Sequence, residues 1–186
     1  MKSIEASGPR LHLVQAHPED IDDAFVEMYL NTEGKNDWFR QSRKPFSKDE
    51  LQRFCADGIK KHNCFYYMAR MKGTDQLVGS LRLGVIDKLN SISDMVALIG
   101  STADRGKGLG TELVTLGNRI AFDNLKIRKL HSGMFDANKA SIMAYVRAGW
   151  VIEGRLHNHL LVDGKPMDWV VVSCFNPFWV APADPT

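Results

Sequence analysis

The sequence predicts a single-domain α/β (α+β) protein built on a mixed, mostly antiparallel sheet flanked by helices. Stretches of strand and helix period follow one another as strand, helices, antiparallel strands, then strand–helix–strand–helix–strand. No repeat, low-complexity run or linker interrupts that order. The 186 residues are 44% hydrophobic and 25% charged, enough to bury one core. The domain is therefore taken as 1–186, with a core of about 10–175 and a tail over 176–186.

Each element has a local reason. Arg10–Gln15 alternates apolar and polar as a short strand, and Pro18-Glu19-Asp20 then suits the start of a helix burying Ile21, Ala24, Phe25, Met28 and Tyr29. Asn31 to Phe46 is polar and aromatic without a clear period, so it reads as a loop or irregular helix. Ser47-Lys-Asp-Glu50 matches a capping box for a helix to about Lys61. Cys64–Met71 and Gln76–Val85 read as an antiparallel hairpin turned at Gly73, and Ile92–Ile99 as a third strand. Next come a helix to about Phe122, a strand Lys129–Phe135 and a helix Lys139–Ala148. Strands then run from Trp150 onward, with Asp163-Gly164 turning a hairpin between Gly154–Val162 and Met167–Phe175. The tail from Asn176 holds three prolines and is expected to lie on the surface or fray.

Composition excludes several classes of function. With 24 basic and 22 acidic residues the net charge is +2, too weak a field to make nucleic acid the main partner. Neither a basic-then-apolar leader nor an apolar run of membrane-spanning length is seen, so the expected location is the cytoplasm, without a membrane partner. Cys55, Cys64 and Cys174 lack metal-ligand spacing and read as reduced thiols, so no metal is expected.

The densest chemical signal is Ser101-Thr-Ala-Asp-Arg105-Gly-Lys-Gly108-Leu-Gly110-Thr111, between a strand and a helix. A triphosphate loop would need Ser or Thr after Lys107, where Gly108 stands. A dinucleotide fingerprint would need glycine where Thr111 stands. What remains is R-x-x-G-x-G at a helix N-terminus, where backbone N–H groups and a positive dipole end suit a pyrophosphate, with Arg105 and Lys107 adding charge. Taken alone, the stretch reads equally well as a tight glycine-rich turn with solvated bases.

The second signal is the helix after Phe135. Asn138 suits an N-cap, Ile142, Met143 and Val146 a buried face, and Gly149 a stop. At about 100° per residue, Asn138 and Tyr145 fall on one edge of that helix. A phenol of pKa about 10 there can protonate a leaving thiolate, whose conjugate thiol has a pKa of about 8.5, and it can equally be an edge residue of the core.

Arg105-x-x-Gly108-x-Gly110 after a strand, joined to Asn138…Tyr145…Gly149-Trp150, resembles the GCN5-related N-acetyltransferases (GNAT) over nearly the whole chain. The ending GWVIEGRLHNHLLVDGKPMDWVV resembles more loosely the branch that acetylates ribosomal-protein N-termini, polyamines and amino sugars. The resemblance implies a GNAT fold with a splayed central strand pair. It also implies direct acetyl transfer from acetyl-coenzyme A to a primary amine, with no acyl-enzyme and no metal.

Carried over by motif position, the backbone of Arg105, Gly106, Lys107, Gly108, Leu109, Gly110 and Thr111 would hold the pyrophosphate. Leu98, Ile99 and Ser101 would pair with pantetheine, with Ile99 polarising the thioester carbonyl. Asn138 would touch pantetheine or the adenine end, and Tyr145 would be the acid. The proton acceptor stays open among Asp94, Glu153, His157, His159 and water. His159 is the side chain put forward, for a pKa near neutrality. A nucleophilic Cys64 or Cys174 is a rival without a basic neighbour in sequence.

The same resemblance places the acceptor amine, a small molecule or a peptide, between Asn31–Arg43 and Arg155–His159. Trp38 and Phe39 would stack on a ring and Arg40 and Arg43 would pair with an anion, joined by Arg155 and His157. A solvated loop with two anchoring aromatics is the plainer alternative. A nucleotide-linked amino sugar is the first expectation, then a peptide or protein N-terminus, then a polyamine. A coenzyme-A-binding regulatory domain is the alternative outside enzymes, and only the family's habit suggests a homodimer.

Overall fold

The computed structural model describes residues 5–30 and 47–181. Among the described residues, eight strands form one sheet. They are β1 (Ala6–Ser7), β2 (Leu11–Gln15), β3 (Cys64–Met71), β4 (Leu77–Asp87), β5 (Ile92–Ile99), β6 (Lys129–Phe135), β7 (Val151–Val162) and β8 (Lys165–Phe175). Their spatial order is β1-β2-β3-β4-β5-β6-β8-β7, antiparallel throughout except for β5 beside β6. Four helices flank it: α1 (Asp23–Leu30), α2 (Lys48–Lys61), α3 (Leu109–Arg119) and α4 (Lys139–Arg147). The mixed, mostly antiparallel sheet with helices on its faces is the predicted class.

Local chemistry sets the element ends. Ser47 accepts from the Glu50 N–H while Glu50 accepts from the Ser47 N–H, so the predicted capping box opens α2. The first helix starts later than Pro18 because Pro18–Asp20 tightens into a 3-10 turn; Asp22 then accepts from the Phe25 N–H at 2.8 Å and caps α1. The two-residue β1 escapes sequence reading because it is too short to show a period. Strand β7 begins at Val151, ahead of the expected Gly154, and its register shifts between Ile152 and Gly154 and between Leu156 and Leu160, which blurs the alternation. Asn176 anchors the start of the tail, its N–H donating to the Arg128 carbonyl at 2.9 Å.

Two cores lie on opposite sheet faces. One packs α3 and α4 against Leu81, Leu83, Met95, Leu130 and Val172. The other packs α1 and α2 against Cys64, Tyr66 and Met68. Helix α3 sits so close that a Cβ on Gly117 would lie 2.5 Å from Leu81 and 2.6 Å from Met95. Close packing of that kind holds α3 at a fixed height above the sheet.

The parallel pair is brief. Strand β5 pairs with β6 only at Ile92, Ser93 and Asp94, while β6 stays bonded to β8 as far as Phe135. Beyond Asp94 the two strands part, and the gap between them is the site.

Candidate active site

A cleft of about 1070 Å³ opens at this split, between the rest of β5, the loop into α3, and the start of α4. After β5 the chain turns at Gly100, and Ser101 Oγ accepts from the Ala103 N–H at 3.1 Å to close a 3-10 turn over Thr102–Asp104. Gly106 and Gly108 then adopt φ of 74° and 79°, a left-handed geometry that glycine takes without a side-chain clash. Gly108 caps α3.

Arg105, Gly106, Gly108, Gly110 and Thr111 all line the cleft, with Leu98 and Ile99 on its β5 wall. Leu109 instead buries its side chain in the core, and Lys107 pairs its amine with Asp104 at 3.3 Å. In the first turn of α3 the N–H groups of Leu109, Gly110 and Thr111 have no partner inside the helix. Glycines leave no side chain between those donors and the cleft, so the loop fits a bound pyrophosphate.

The β5 wall has its own directionality. The Gly100 N–H donates to Val78 at 3.0 Å, toward β4. By strand alternation the Ile99 and Ala97 N–H groups turn the other way, into the split. The Ala97 N–H donates to Tyr145 Oη at 3.2 Å, and Tyr145 Oη donates to the Met95 carbonyl at 3.1 Å. The Ile99 N–H thus faces the split.

Tyr145 is more deeply set than a helix-edge position suggests, only 3% exposed. Trp150 packs edge-on against its ring at 4.7 Å, and Trp150 Nε1 donates to Asn118 at 2.9 Å. This packing drives the phenol inward across the split. Burial, partly offset by Ser132 and the Ala97 N–H, pushes its pKa up to about 12. Asn138 caps α4, its Oδ1 accepting from the Ser141 N–H at 3.2 Å, and lines the same cleft.

Two further features shape the cleft wall. Asp94 and Arg82 form an ion pair on the cleft wall, their side chains 29% and 18% exposed. Trp169 of β8 also lines the cleft, edge-on to Phe135 at 5.2 Å. A Cβ on Gly133 would fall 2.1 Å from Trp169 Nε1, so only glycine lets the indole lie across β6. Neither Arg82 nor Trp169 stood out in the sequence.

The structure does not bring the late-strand candidates to the cleft. Asp168 and Trp169 are successive in β8, so their side chains leave opposite faces. Asp168 gathers the Asn158 N–H at 2.8 Å, Arg155 at 2.7 Å and His157 at 3.2 Å, and these hold its carboxyl down to about 2. Arg155 also reaches Asp136 at 3.2 Å. Arg155, His157 and His159 are exposed around a bulge of β7, and none lines the cleft. Glu153 is bound by Lys129 and Ser173, which lower its pKa. Trp38, Phe39, Arg40 and Arg43 lie outside the described residues.

Cys64 and Cys174 are buried and do not line the cleft, and burial raises both thiols, partly offset for Cys64 by Arg82. Among the described residues, no group of three His, Cys, Asp or Glu is placed to hold a metal, and no helix is long and apolar enough to cross a membrane.

The family model of the acetyltransferase (GNAT) domain matches residues 10–151. The chain belongs to the GNAT family and is an N-acetyltransferase that uses acetyl-coenzyme A. It is 24% identical over 172 residues to Probable N-acetyltransferase YjcK of Bacillus subtilis (strain 168), covering 88% of this chain and 94% of that one. Its fold matches ribosomal-protein-S5-alanine acetyltransferase from Vibrio fischeri with a TM-score of 0.82 at 15% identity, over 96% of this chain and 100% of that one. Spermidine N-acetyltransferase from Vibrio cholerae, solved with CoA and spermine, matches with a TM-score of 0.77 at 19% identity, over 91% and 97% of the two chains.

Proposed function

We propose that the chain acetylates a single primary amine at the N-terminus of a peptide or protein, directly from acetyl-coenzyme A. The observation that supports this is the cleft lining, which includes the carboxylate of Asp94, where β5 and β6 part, and the indole of Trp169. Both described carboxylates on the lining have a cationic partner, Asp94 in Arg82 and Asp104 in Lys107. A carboxylate and an indole suit an ammonium on an apolar or amide body. The amino-sugar expectation rested on Trp38, Phe39 and Arg40, outside the described residues. The relatives compared above include ribosomal-protein and polyamine enzymes, so the amino sugar is set aside.

In this reading the backbone of Arg105–Thr111 holds the pyrophosphate, and Asn138 touches the pantetheine arm. Asp94, held by Arg82, binds the ammonium and accepts its proton directly or through water, a task the exposed His159 is not placed to perform. The Ile99 N–H stabilises charge on the carbonyl oxygen as the C–N bond forms. Tyr145 then turns its hydroxyl from the Met95 carbonyl to the departing sulfur as the C–S bond breaks; the sulfur leaves as a thiolate held by that hydrogen bond and takes its proton from solvent, to which the nitrogen releases its own. A phenol at about 12 is a reluctant full donor to a thiolate, so it stabilises developing charge.

The test is thiol release from acetyl-coenzyme A with a short peptide bearing a free N-terminus, spermidine, or an amino sugar as acceptor. Peptide turnover at least about tenfold more efficient than the others is expected. Preference for spermidine or the sugar would overturn the acceptor assignment.

A further inference from the structure

Arg10 immediately precedes β2, about a hundred residues from the glycine loop, yet its guanidinium touches that loop. Its Nη1 donates to the Lys107 carbonyl at 2.6 Å and its Nε donates to Glu112 at 2.9 Å. Glu112 lies in the first turn of α3 with its side chain only 9% exposed. It also accepts the backbone N–H groups of Arg10 at 2.7 Å and Leu11 at 2.9 Å. The turn before β2 closes around this carboxylate so tightly that a Cβ on Gly8 would lie 2.6 Å from Glu112 Oε1.

The consequence follows from peptide geometry. In a planar trans peptide the carbonyl and the following N–H point in opposite directions. Arg10 holds the Lys107 carbonyl on its own side of the loop, so the Gly108 N–H is turned the other way. Gly106, Gly108 and Gly110 line the cleft and Lys107 does not, so that other way is the cleft.

We propose that Arg10, clamped by Glu112, is a positioning residue for the pyrophosphate site, fixing the Lys107–Gly108 peptide so that its N–H faces the phosphates. The inference rests on the loop holding the pyrophosphate. Arginine suits the task because its rigid fork serves two acceptors at once, which a lysine ammonium on a flexible stem does not do with the same geometry.

The test compares coenzyme A with pantetheine, which lacks the pyrophosphate, by calorimetry on the purified full-length protein. Arg10→Ala should weaken coenzyme A about tenfold or more, the loss of one oriented donor to a charged group, and leave pantetheine affinity within about twofold. Arg10→Lys should recover little of the loss. Gly110→Asp, whose Cβ would meet Ala144 at an ordinary 3.6 Å, sets a carboxylate against the anion and tests the loop itself.

Unchanged coenzyme A binding in Arg10→Ala while Gly110→Asp weakens it would overturn the role of Arg10 alone. Unchanged binding in both would remove the loop as the pyrophosphate site. Equal losses for coenzyme A and pantetheine, or full recovery with Arg10→Lys, would show general destabilisation or simple charge in place of peptide positioning.

Discussion

Tyr145 donates its hydroxyl to the main-chain carbonyl of Met95 at 3.1 Å, bridging α4 and β5 where the sheet has parted. Two outcomes follow for Tyr145→Phe. The turnover number should fall by about 10² or more while coenzyme A affinity changes little. The Ala97 N–H and the Met95 carbonyl also lose their partner in a buried place, so the variant should lose about 1–3 kcal/mol of stability in urea unfolding. Unchanged turnover would remove Tyr145 from the chemistry, whatever its effect on stability.

Asp94→Asn keeps the shape of the cleft wall but removes the charge that faces Arg82. Amine acetylation at neutral pH should fall by about tenfold or more through both acceptor KM and turnover. Coenzyme A binding should hold, because the loop lies at the other end of the cleft. A variant with normal kinetics would pass the proton to water alone.

Trp169 and Gly133 form one unit, so they should fail together. Trp169→Ala is expected to raise acceptor KM several-fold with little change in KM for acetyl-coenzyme A. Gly133→Ala should act in the same direction by displacing the indole. If acceptor KM stays put in both, the indole is a lining residue without a role in recognition.

Glu112 gives a pH prediction with a definite sign. Burial works to raise its pKa, but the N–H groups of Arg10 and Leu11 and the Arg10 side chain carry it below the ordinary 4.5. A carboxylate lowered in the folded state adds stability that is present above its unfolded pKa and lost as pH falls through its folded pKa. Acidification below about 4.5 should therefore weaken the wild type progressively, and Glu112→Gln should flatten that part of the profile. Parallel urea midpoints for the two proteins between neutral pH and pH 3 would contradict the clamp.

Much of this was readable in advance because local rules dominate where they are strong. The strands Cys64–Met71, Ile92–Ile99 and Lys129–Phe135 fall where their periods place them, and Ser47 with Glu50 opens α2 as its side-chain chemistry requires. The glycine loop was legible from spacing, since φ near 75° and a helix start leave few residue choices. Arg10, Glu112, Arg82 and Trp169 were not legible. Arg10 and Glu112 are 102 residues apart, and nothing in either neighbourhood announces a partner that only the folding of β2 beside α3 supplies. His157 and Arg155 drew interest through their types, but Asp168 claims both on the other face, and strand alternation alone cannot show that across two bulges.

The brief β5–β6 pairing makes this sheet two leaves joined by a short seam. Five strands form one leaf and three the other, each laced by its own ladder. Past the seam, the phenol of Tyr145 works as a stitch reaching from α4 to β5, near the spot where a thioester must enter. On the proposed mechanism, mechanical cohesion and chemistry would share the same few atoms. On the same reading, admitting the cosubstrate draws the Tyr145 hydroxyl from the Met95 carbonyl, so the seam gives up an internal fastening when the cleft is full.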